Sequence, residues 1–147
     1  MSNFDEKTVD RIKRLEREVE RLRVWERPYT AWTIWNKKPS GWNNATRIAR
    51  YALIGKTCVF TAYISGASSG SGAAIDLPFT AANIGTGFGW GGALAYAVDN
   101  GAALTTAARW FITNNSGLLL FYPDMATGSW TASGTKTVLA SGFYEVA

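Results

Sequence analysis

The chain has 147 residues, with 15 lysines and arginines, 11 aspartates and glutamates, and a formal net charge of +4. This length fits one compact domain with an appendage. The chain contains no histidine and a single cysteine, which excludes Ser-His-Asp and Cys-His catalytic groups, zinc or haem sites with histidine ligands, and a disulfide within the chain.

The charges are concentrated near the N-terminus. Residues 1–28 carry 15 of the 26 charges in near balance, whereas residues 29–147 carry seven basic and four acidic residues. This basic excess is too dilute for a nucleic-acid footprint, and the longest apolar run, Leu118–Tyr122, is too short to cross a membrane. We expect no nucleic-acid partner, no membrane insertion and, because the N-terminus is charged, no signal peptide.

Residues 1–28 are predicted to form a helix with a narrow apolar seam. Ser2 or Asn3 can cap its first turn, and Pro28 ends it. Spacings of three, four and three place the seam at heptad positions a and d. The seam residues are Ile12, Leu15, Val19 and Leu22. A stripe of two residues per heptad is too narrow for a face packed on a globular domain, so we predict a coiled coil.

Three helices are predicted to assemble in this coiled coil. The composition of positions a and d favours a dimer. The segment RIKRLE (residues 11–16), however, resembles the trimerisation motif of many short three-stranded coiled coils, in which Arg11 and Glu16 are specified along with the apolar pair. The charges fit parallel and antiparallel pairing alike, and we adopt a parallel homotrimeric stalk. Because two heptads are marginal by themselves, we expect the rest of the chain to associate too.

An aromatic neck is predicted at residues 29–46. Its aromatic residues are Tyr29, Trp32, Trp35 and Trp42, with Lys37 and Lys38 among them. We interpret the four rings as a hydrophobic plug where the three chains meet.

Residues 47–147 are predicted to form a β head, because the helical period is lost. Residues 57–65 alternate between apolar and polar, and Gly55-Lys56 predicts a two-residue turn that joins them to a strand at Tyr51–Ile54. Cys58 falls on the apolar face, as a small buried hydrophobe does. Other strands are predicted at Ala31–Trp35, Ala73–Leu77, Gly92–Val98, Trp110–Thr113, Gly117–Tyr122 and Lys136–Val146, and Ala103–Arg109 is compatible with a short helical turn. Many short strands with glycine-rich turns predict an antiparallel, jelly-roll-like β-sandwich.

Two segments of the head, YALIGKTCVFTAYISG (residues 51–66) and AIDLPFT (residues 74–80), resemble the head domains of bacteriophage tail-fibre and receptor-binding proteins. Those heads often show a hairpin of this kind, a Gly/Ser turn and the sequence I-x-L-P-F-T. A short N-terminal coiled coil that leads into a trimeric β head is also similar to that family. The resemblance implies a tail-tip adhesin of the virion, made in the host cytoplasm, whose partners are other tail proteins and a host surface glycan or cell-wall polymer.

A nucleotide-binding loop is not predicted. The segment GFGWGG (residues 87–92) matches G-x-G-x-x-G, but no apolar strand precedes it, and Phe88 and Trp90 would crowd a pyrophosphate. Its alternating glycines predict instead a strand or loop with one bare face, which another backbone or a ligand can approach.

Two carboxylates acting on a glycosidic bond are the enzyme chemistry still possible. The acidic residues of the head are Asp76, Asp99, Asp124 and Glu145. Asp99 and Asp124 are typical of turns, and no calcium ligands cluster at the usual density. We expect no catalytic residues, no cofactor and no metal.

Aromatic residues of the head are the candidates for ligand binding. Sugar rings stack on indole and phenol faces, and nearby amides and hydroxyls fix their orientation. The candidates are Trp90, Trp110, Trp130 and Tyr122. Trp130 is the least typical of a core, because GSWTASG (residues 128–134) predicts an exposed loop, and Trp90 in its glycine-rich segment comes second. Core packing is the alternative for each of them.

The resulting hypothesis is a homotrimeric adhesin, in which three weak sites on one axis bind far more tightly together than one does. Two alternatives stay open. The same trimer fits a structural virion component, such as a decoration or plug protein, without a free ligand. An acidic pair in the head fits a small carboxylate glycan hydrolase.

Overall fold

The computed structural model describes residues 6–25, 31–87 and 89–147 of the chain. It divides into two compact units, Met1–Thr30 and Ala31–Ala147. The first unit holds the described helix, α1 (Glu6–Trp25), and the second holds the strands. Within the described residues, no helix combines the length and the apolar character that a membrane span requires.

α1 confirms a helix within residues 1–28, and its apolar seam is open to solvent in the single chain. The side chains of Ile12, Leu15 and Val19 are 45%, 53% and 47% exposed. The Leu22 side chain and the residues Ser2, Asn3, Pro28 and Tyr29 lie outside the described residues. The seam of the helix is therefore about half exposed along its described residues, and the coiled coil stays a prediction.

Two antiparallel sheets form the second unit. Their strands are β1 (Thr33–Ile34), β2 (Pro39–Ser40), β3 (Trp42–Ile54), β4 (Thr57–Ser68), β5 (Ala74–Asp76), β6 (Gly89–Ala93), β7 (Tyr96–Asp99), β8 (Ala102–Ala103), β9 (Arg109–Thr113), β10 (Leu118–Tyr122) and β11 (Thr135–Glu145). The six-stranded sheet has the order β1-β3-β4-β11-β7-β8, and the five-stranded sheet has the order β2-β5-β10-β9-β6. The predicted mainly β class with antiparallel sheets is confirmed.

The long hairpin of β3 and β4 follows the sequence pattern. The two strands pair along their length and are joined at Gly55-Lys56, where Gly55 has a φ of 60°, a conformation that side chains disfavour. Alternate residues of β4 are buried, and Cys58 among them is 0% exposed. Burial raises the pKa of its thiol, whereas a hydrogen bond with Tyr144 lowers it. The cysteine is thus the small buried hydrophobe that its position predicts.

Two predicted elements differ in the structure. The strand predicted at Gly92–Val98 is interrupted, and its two parts belong to β6 and β7 in different sheets. Ala103–Arg109 is an irregular connection from β8 to β9 rather than a helical turn. Local sequence does not distinguish these outcomes, because the pairing partners lie far away along the chain.

Residues 31–46 of the predicted neck belong to the second unit. β1, β2 and the start of β3 all fall within residues 31–46. Trp35 and Trp42 are 1% and 5% exposed, and their indole Nε1 atoms donate to the carbonyl oxygens of Asp76 (2.8 Å) and Lys136 (2.9 Å). The prediction that these two rings plug a junction between chains is therefore corrected, since both are enclosed within one chain. Trp32 is 52% exposed.

Aromatic rings join the two sheets. Phe60 of β4 contacts Trp35, Trp110 and Tyr144, with ring centroids 5.9, 5.1 and 6.4 Å apart. These four residues come from the 31–46 segment and from strands of both sheets. The sheets therefore pack face to face in a sandwich-like arrangement around an aromatic centre.

Lys136 of β11 is a buried cation, 0% exposed. Its Nζ donates hydrogen bonds to the carbonyl oxygens of Gly41, Gly70 and Gly72 at 3.2, 2.8 and 2.9 Å. These carbonyls replace the water that a buried ammonium loses. The lysine therefore fastens the turn before β3 and the glycine-rich loop before β5 to the middle of the domain.

Two indole faces complete the surroundings of the ammonium. The rings of Trp42 and Trp130 lie 5.3 and 5.7 Å from Nζ, within the range of cation–π attraction. Burial lowers the pKa of Lys136, whereas the Asp99 carboxylate raises it.

Gly142→Ala should destabilise the domain. The indole of Trp110 fits between Gly92 and Gly142, and a methyl group at position 142 would overlap its Cζ2 atom. We expect the free energy of unfolding, measured with urea, to fall by about 2 kcal/mol. Gly117→Ala is the matched control, because nothing lies within 4 Å of the added methyl group. Equal effects of the two substitutions would contradict the packing around Trp110.

Lys136→Met should lower the free energy of unfolding more than the removal of a surface lysine does. The methionine fills similar space but leaves the three glycine carbonyls without their donor, so we expect the free energy of unfolding to fall by about 3 kcal/mol. Lys56→Met is the control, because Lys56 is exposed in the turn between β3 and β4. Urea unfolding of both variants gives the comparison, and an unchanged midpoint for Lys136→Met would refute the fastening role.

Candidate functional site

Two of the predicted ligand-binding tryptophans are in the core. Trp110 and Trp130 are 4% and 3% exposed. The Trp130 Nε1 donates to the carbonyl oxygen of Phe121 at 2.8 Å, and the ring faces Lys136. The prediction that residues 128–134 expose Trp130 is therefore wrong, because Phe121 of β10 and Lys136 of β11 hold its indole in the core. Neither ring presents a face on which a sugar can stack.

The other two candidates lie on different faces of the five-stranded sheet. Trp90 is half-buried and packs towards the core against Tyr144, with centroids 6.3 Å apart. Tyr122 is half-buried on the outer face, where the Arg109 guanidinium lies 5.2 Å from its ring. The structure therefore does not bring the four predicted residues together into one site.

The most exposed tryptophan among the described side chains is Trp32, which borders an open cleft of about 340 Å³. We call this the indole cleft; it is lined by Trp32, Ile34, Trp35, Asn36, Arg47, Ile48, Ala49 and Arg50. The first half of the lining comes from β1 and its flanks, and the second half comes from β3. The cleft therefore combines an exposed indole with two guanidinium groups and an amide.

A second cleft lies beside it and shares Arg47. It has a volume of about 480 Å³ and is lined by Lys38, Pro39, Trp42, Asn43, Asn44, Ala45 and Arg47. We call this the asparagine cleft. Because Arg47 lines both clefts, they are adjoining parts of one surface along the edge of the domain.

A β-bulge shapes the asparagine cleft. The register of β3 against β4 shifts between Asn43 and Thr46, and Asn44 has a φ of 49°. Asparagine tolerates this left-handed conformation better than most residues. A bulge redirects neighbouring side chains and is common at the edges of functional sites. Here it interrupts the strand where the two asparagines line the cleft.

Backbone contacts hold the walls of the indole cleft in place. The Arg47 guanidinium Nη1 donates to the carbonyl oxygen of Lys37, which ties the β1–β2 connection to β3. The Trp35 amide donates to the carbonyl oxygen of Ala49 at 2.9 Å, and its buried ring anchors the same connection. The cleft is therefore built on fixed strands rather than on a free loop.

The charge around the two clefts is of one sign. Lys38, Arg47 and Arg50 line them, and no acidic side chain of the described residues does. The surface can thus offer charge-assisted donors to an acceptor group, with an aromatic face at one end.

Sequence reasoning missed this site because its residues carry no motif. Arg47 and Arg50 are isolated cations in a strand, and Trp32 was assigned to the packing of the neck. The pair Asn43-Asn44 inside an otherwise regular strand pattern was the available signal, since two asparagines interrupt strands and indicate a bulge or turn.

Two of the acidic residues of the head hold nearby loops by hydrogen bonds. Among the described residues, no group of three or more His, Cys, Asp or Glu residues is positioned to hold a metal. The Asp99 carboxylate accepts hydrogen bonds from the amide and hydroxyl of Thr131, and Asp124 Oδ1 accepts one from the Gly128 amide at 3.1 Å. Both carboxylates thus fasten loops, as their turn positions predict.

Comparison with known proteins adds no relative. No protein-family model, no curated protein and no solved structure matches the chain. The function has therefore to be inferred from the geometry and chemistry of the clefts.

Proposed function

We propose that this protein is a homotrimeric adhesin of a bacteriophage tail tip, in which each β head binds a glycan on the host surface. The observation that carries the glycan binding is the indole cleft, where the exposed Trp32 ring stands beside Arg47, Arg50 and Asn36. The phage assignment rests on the resemblance of residues 51–66 and 74–80 to tail-fibre heads.

The cleft suits a sugar because it pairs an apolar face with polar donors. The axial C–H groups of a pyranose pack on an indole, while its hydroxyls need hydrogen-bonding partners at fixed positions. The Arg47 guanidinium and the Asn36 amide provide such groups beside Trp32. A shallow, open site of this kind binds weakly by itself, so three copies on one axis would supply the affinity.

Two apolar surfaces support the proposed homotrimer. One is the seam of α1, where Ile12, Leu15 and Val19 are about half exposed. The other lies on the outer face of the six-stranded sheet and includes Tyr96 of β7 and Phe143 of β11, which are 48% and 62% exposed. Exposed apolar patches in soluble proteins commonly mark contacts with other chains. We propose that jelly-roll-like heads pack around the trimer axis through the part of this patch on β7 and β11, at the other side of the sheet from β1.

Trp32→Ala should remove glycan binding by the trimer. Loss of the stacking face should weaken binding about tenfold at each site, and more in the trimer because three sites act together. A glycan array followed by titration of the bound glycans measures this. Tyr122→Leu is the comparison, because Tyr122 is a predicted ligand-binding residue whose ring lies on the outer face of the other sheet. Loss of binding in Tyr122→Leu with retention in Trp32→Ala would move the site to that sheet.

Sedimentation equilibrium should give three times the mass of one chain. Leu15→Asn places an amide in the seam and should shift the protein towards monomers, because a buried unpaired amide costs free energy in the assembly. Lys13→Asn makes the same residue one position away from the seam and should leave the trimer intact. A dimer would mean that positions a and d decide the number of helices. A monomer would remove the trimer and its avidity together.

A further inference from the structure

The basic residues of the second unit are distributed unevenly over its surface. Three of the seven basic residues, Lys38, Arg47 and Arg50, line the two adjoining clefts. Lys37 is next to them, because its carbonyl oxygen accepts a hydrogen bond from Arg47. The other three are Lys56 in a turn, Arg109 stacked on Tyr122 and Lys136 in the core. The acidic residues Asp76, Asp99, Asp124 and Glu145 line neither cleft. The modest excess of +3 is therefore gathered at one place.

Arg47 is the centre of this group. It is half-buried, it lines both clefts, and one of its nitrogens donates to the Lys37 carbonyl. A guanidinium carries five N–H donors in a fixed fork. The contact with the carbonyl orients the side chain and leaves further donors for an acceptor in the clefts. This geometry suits a carboxylate, sulfate or phosphate group better than a neutral hydroxyl.

We propose, building on the function proposed above, that the glycan is anionic. Its acidic groups would contact Arg47, Arg50 and Lys38, and a sugar ring would stack on Trp32. The stretch of β3 from Asn43 to Arg50 spans six residues of β4 because of its bulge, which is roughly 20 Å at the usual rise of a strand and leaves room for several sugar units. The ligand is thus a segment of an acidic polysaccharide chain rather than a single sugar.

A neutral glycan fits the clefts less well for a physical reason. A neutral ligand that covers three cations removes water from them, and its contacts do not compensate for the lost free energy of hydration. A negatively charged chain offsets this loss of free energy through charge-assisted hydrogen bonds. Attraction at a distance also raises the association rate.

The observations favour a saccharide over a nucleic acid. Binding of single-stranded nucleic acid needs several stacking rings along a basic groove. The clefts instead offer one exposed indole, Trp32, because the rings of Trp35 and Trp42 in their walls are buried. An oligonucleotide therefore serves as a competing probe in the test.

The experiment compares matched polymers on the full-length chain by surface plasmon resonance at low ionic strength. Polygalacturonate and its fully methyl-esterified form share one sugar backbone and differ in charge. Dextran sulfate with dextran, and poly(glycerol phosphate), distinguish sulfate and phosphate from carboxylate. We expect at least one anionic polymer to bind at least tenfold more tightly than its neutral counterpart, with affinity falling as salt rises.

The variants assign the binding to the clefts. Lys38→Gln and Arg50→Gln alter exposed side chains and should each weaken binding about tenfold. Lys56→Gln removes the same charge from an exposed turn outside both clefts and should leave binding unchanged. An equal loss in all three variants would show that only net charge matters and would overturn the assignment of the site.

The remaining outcomes separate this inference from the function on which it rests. Equal binding of charged and neutral polymers, abolished by Trp32→Ala, would refute the anionic ligand and leave the glycan-binding adhesin standing. Tighter binding of a single-stranded oligonucleotide than of any polysaccharide would overturn both. Absence of binding to every polymer and to a glycan array would also overturn both.

Discussion

The ammonium of Lys136 is the constraint on which the rest of the head depends. It is held by three glycine carbonyls and two indole faces inside the protein, and such a charge is tolerated only when all of its donors are satisfied. Satisfying it fixes the turn at Gly41 and the loop at Gly70–Gly72. The turn at Gly41 lies between β2 and β3, which carry the wall of the asparagine cleft. A buried charge behind the asparagine cleft, in contact with Trp42 of its wall, thus positions that surface.

The mainly β fold was predictable because its strongest signals are local. The alternation of residues 57–65, the Gly55-Lys56 turn and the burial of Cys58 follow from the period of a strand and the chemistry of a two-residue turn. The burial of the Trp130 side chain could not be predicted from such local signals. Its small polar neighbours are typical of an exposed loop, yet its ring is held in the core by Phe121 and Lys136, which lie on the strands before and after that loop.

The candidate site was hidden from the sequence for a related reason. Trp32, Arg47 and Arg50 become neighbours through the pairing of β1 with β3, in which Ile34 lies opposite Arg50. A two-residue strand such as β1 gives almost no periodic signal, so its register cannot be inferred from composition. A basic excess that is dilute along the chain can therefore be concentrated in space. Of the rings predicted to contact a ligand, Trp110 and Trp130 belong to the core, and the ligand itself stays a proposal.

The strands at the margins of the two sheets are short. β1, β8 and β2 contain two residues each, and the fourth margin is formed by β6, a five-residue strand rich in glycine. Long unpaired margins recruit strands from other molecules and lead to aggregation. Heads tethered together would meet one another at very high local concentration, which is where such recruitment is fastest. The marginal strands themselves thus offer few amide and carbonyl groups to a strand of another head, whereas β3 pairs with β1 only at Arg50 and Tyr51, so the rest of its long edge is where crowded heads would first join their sheets.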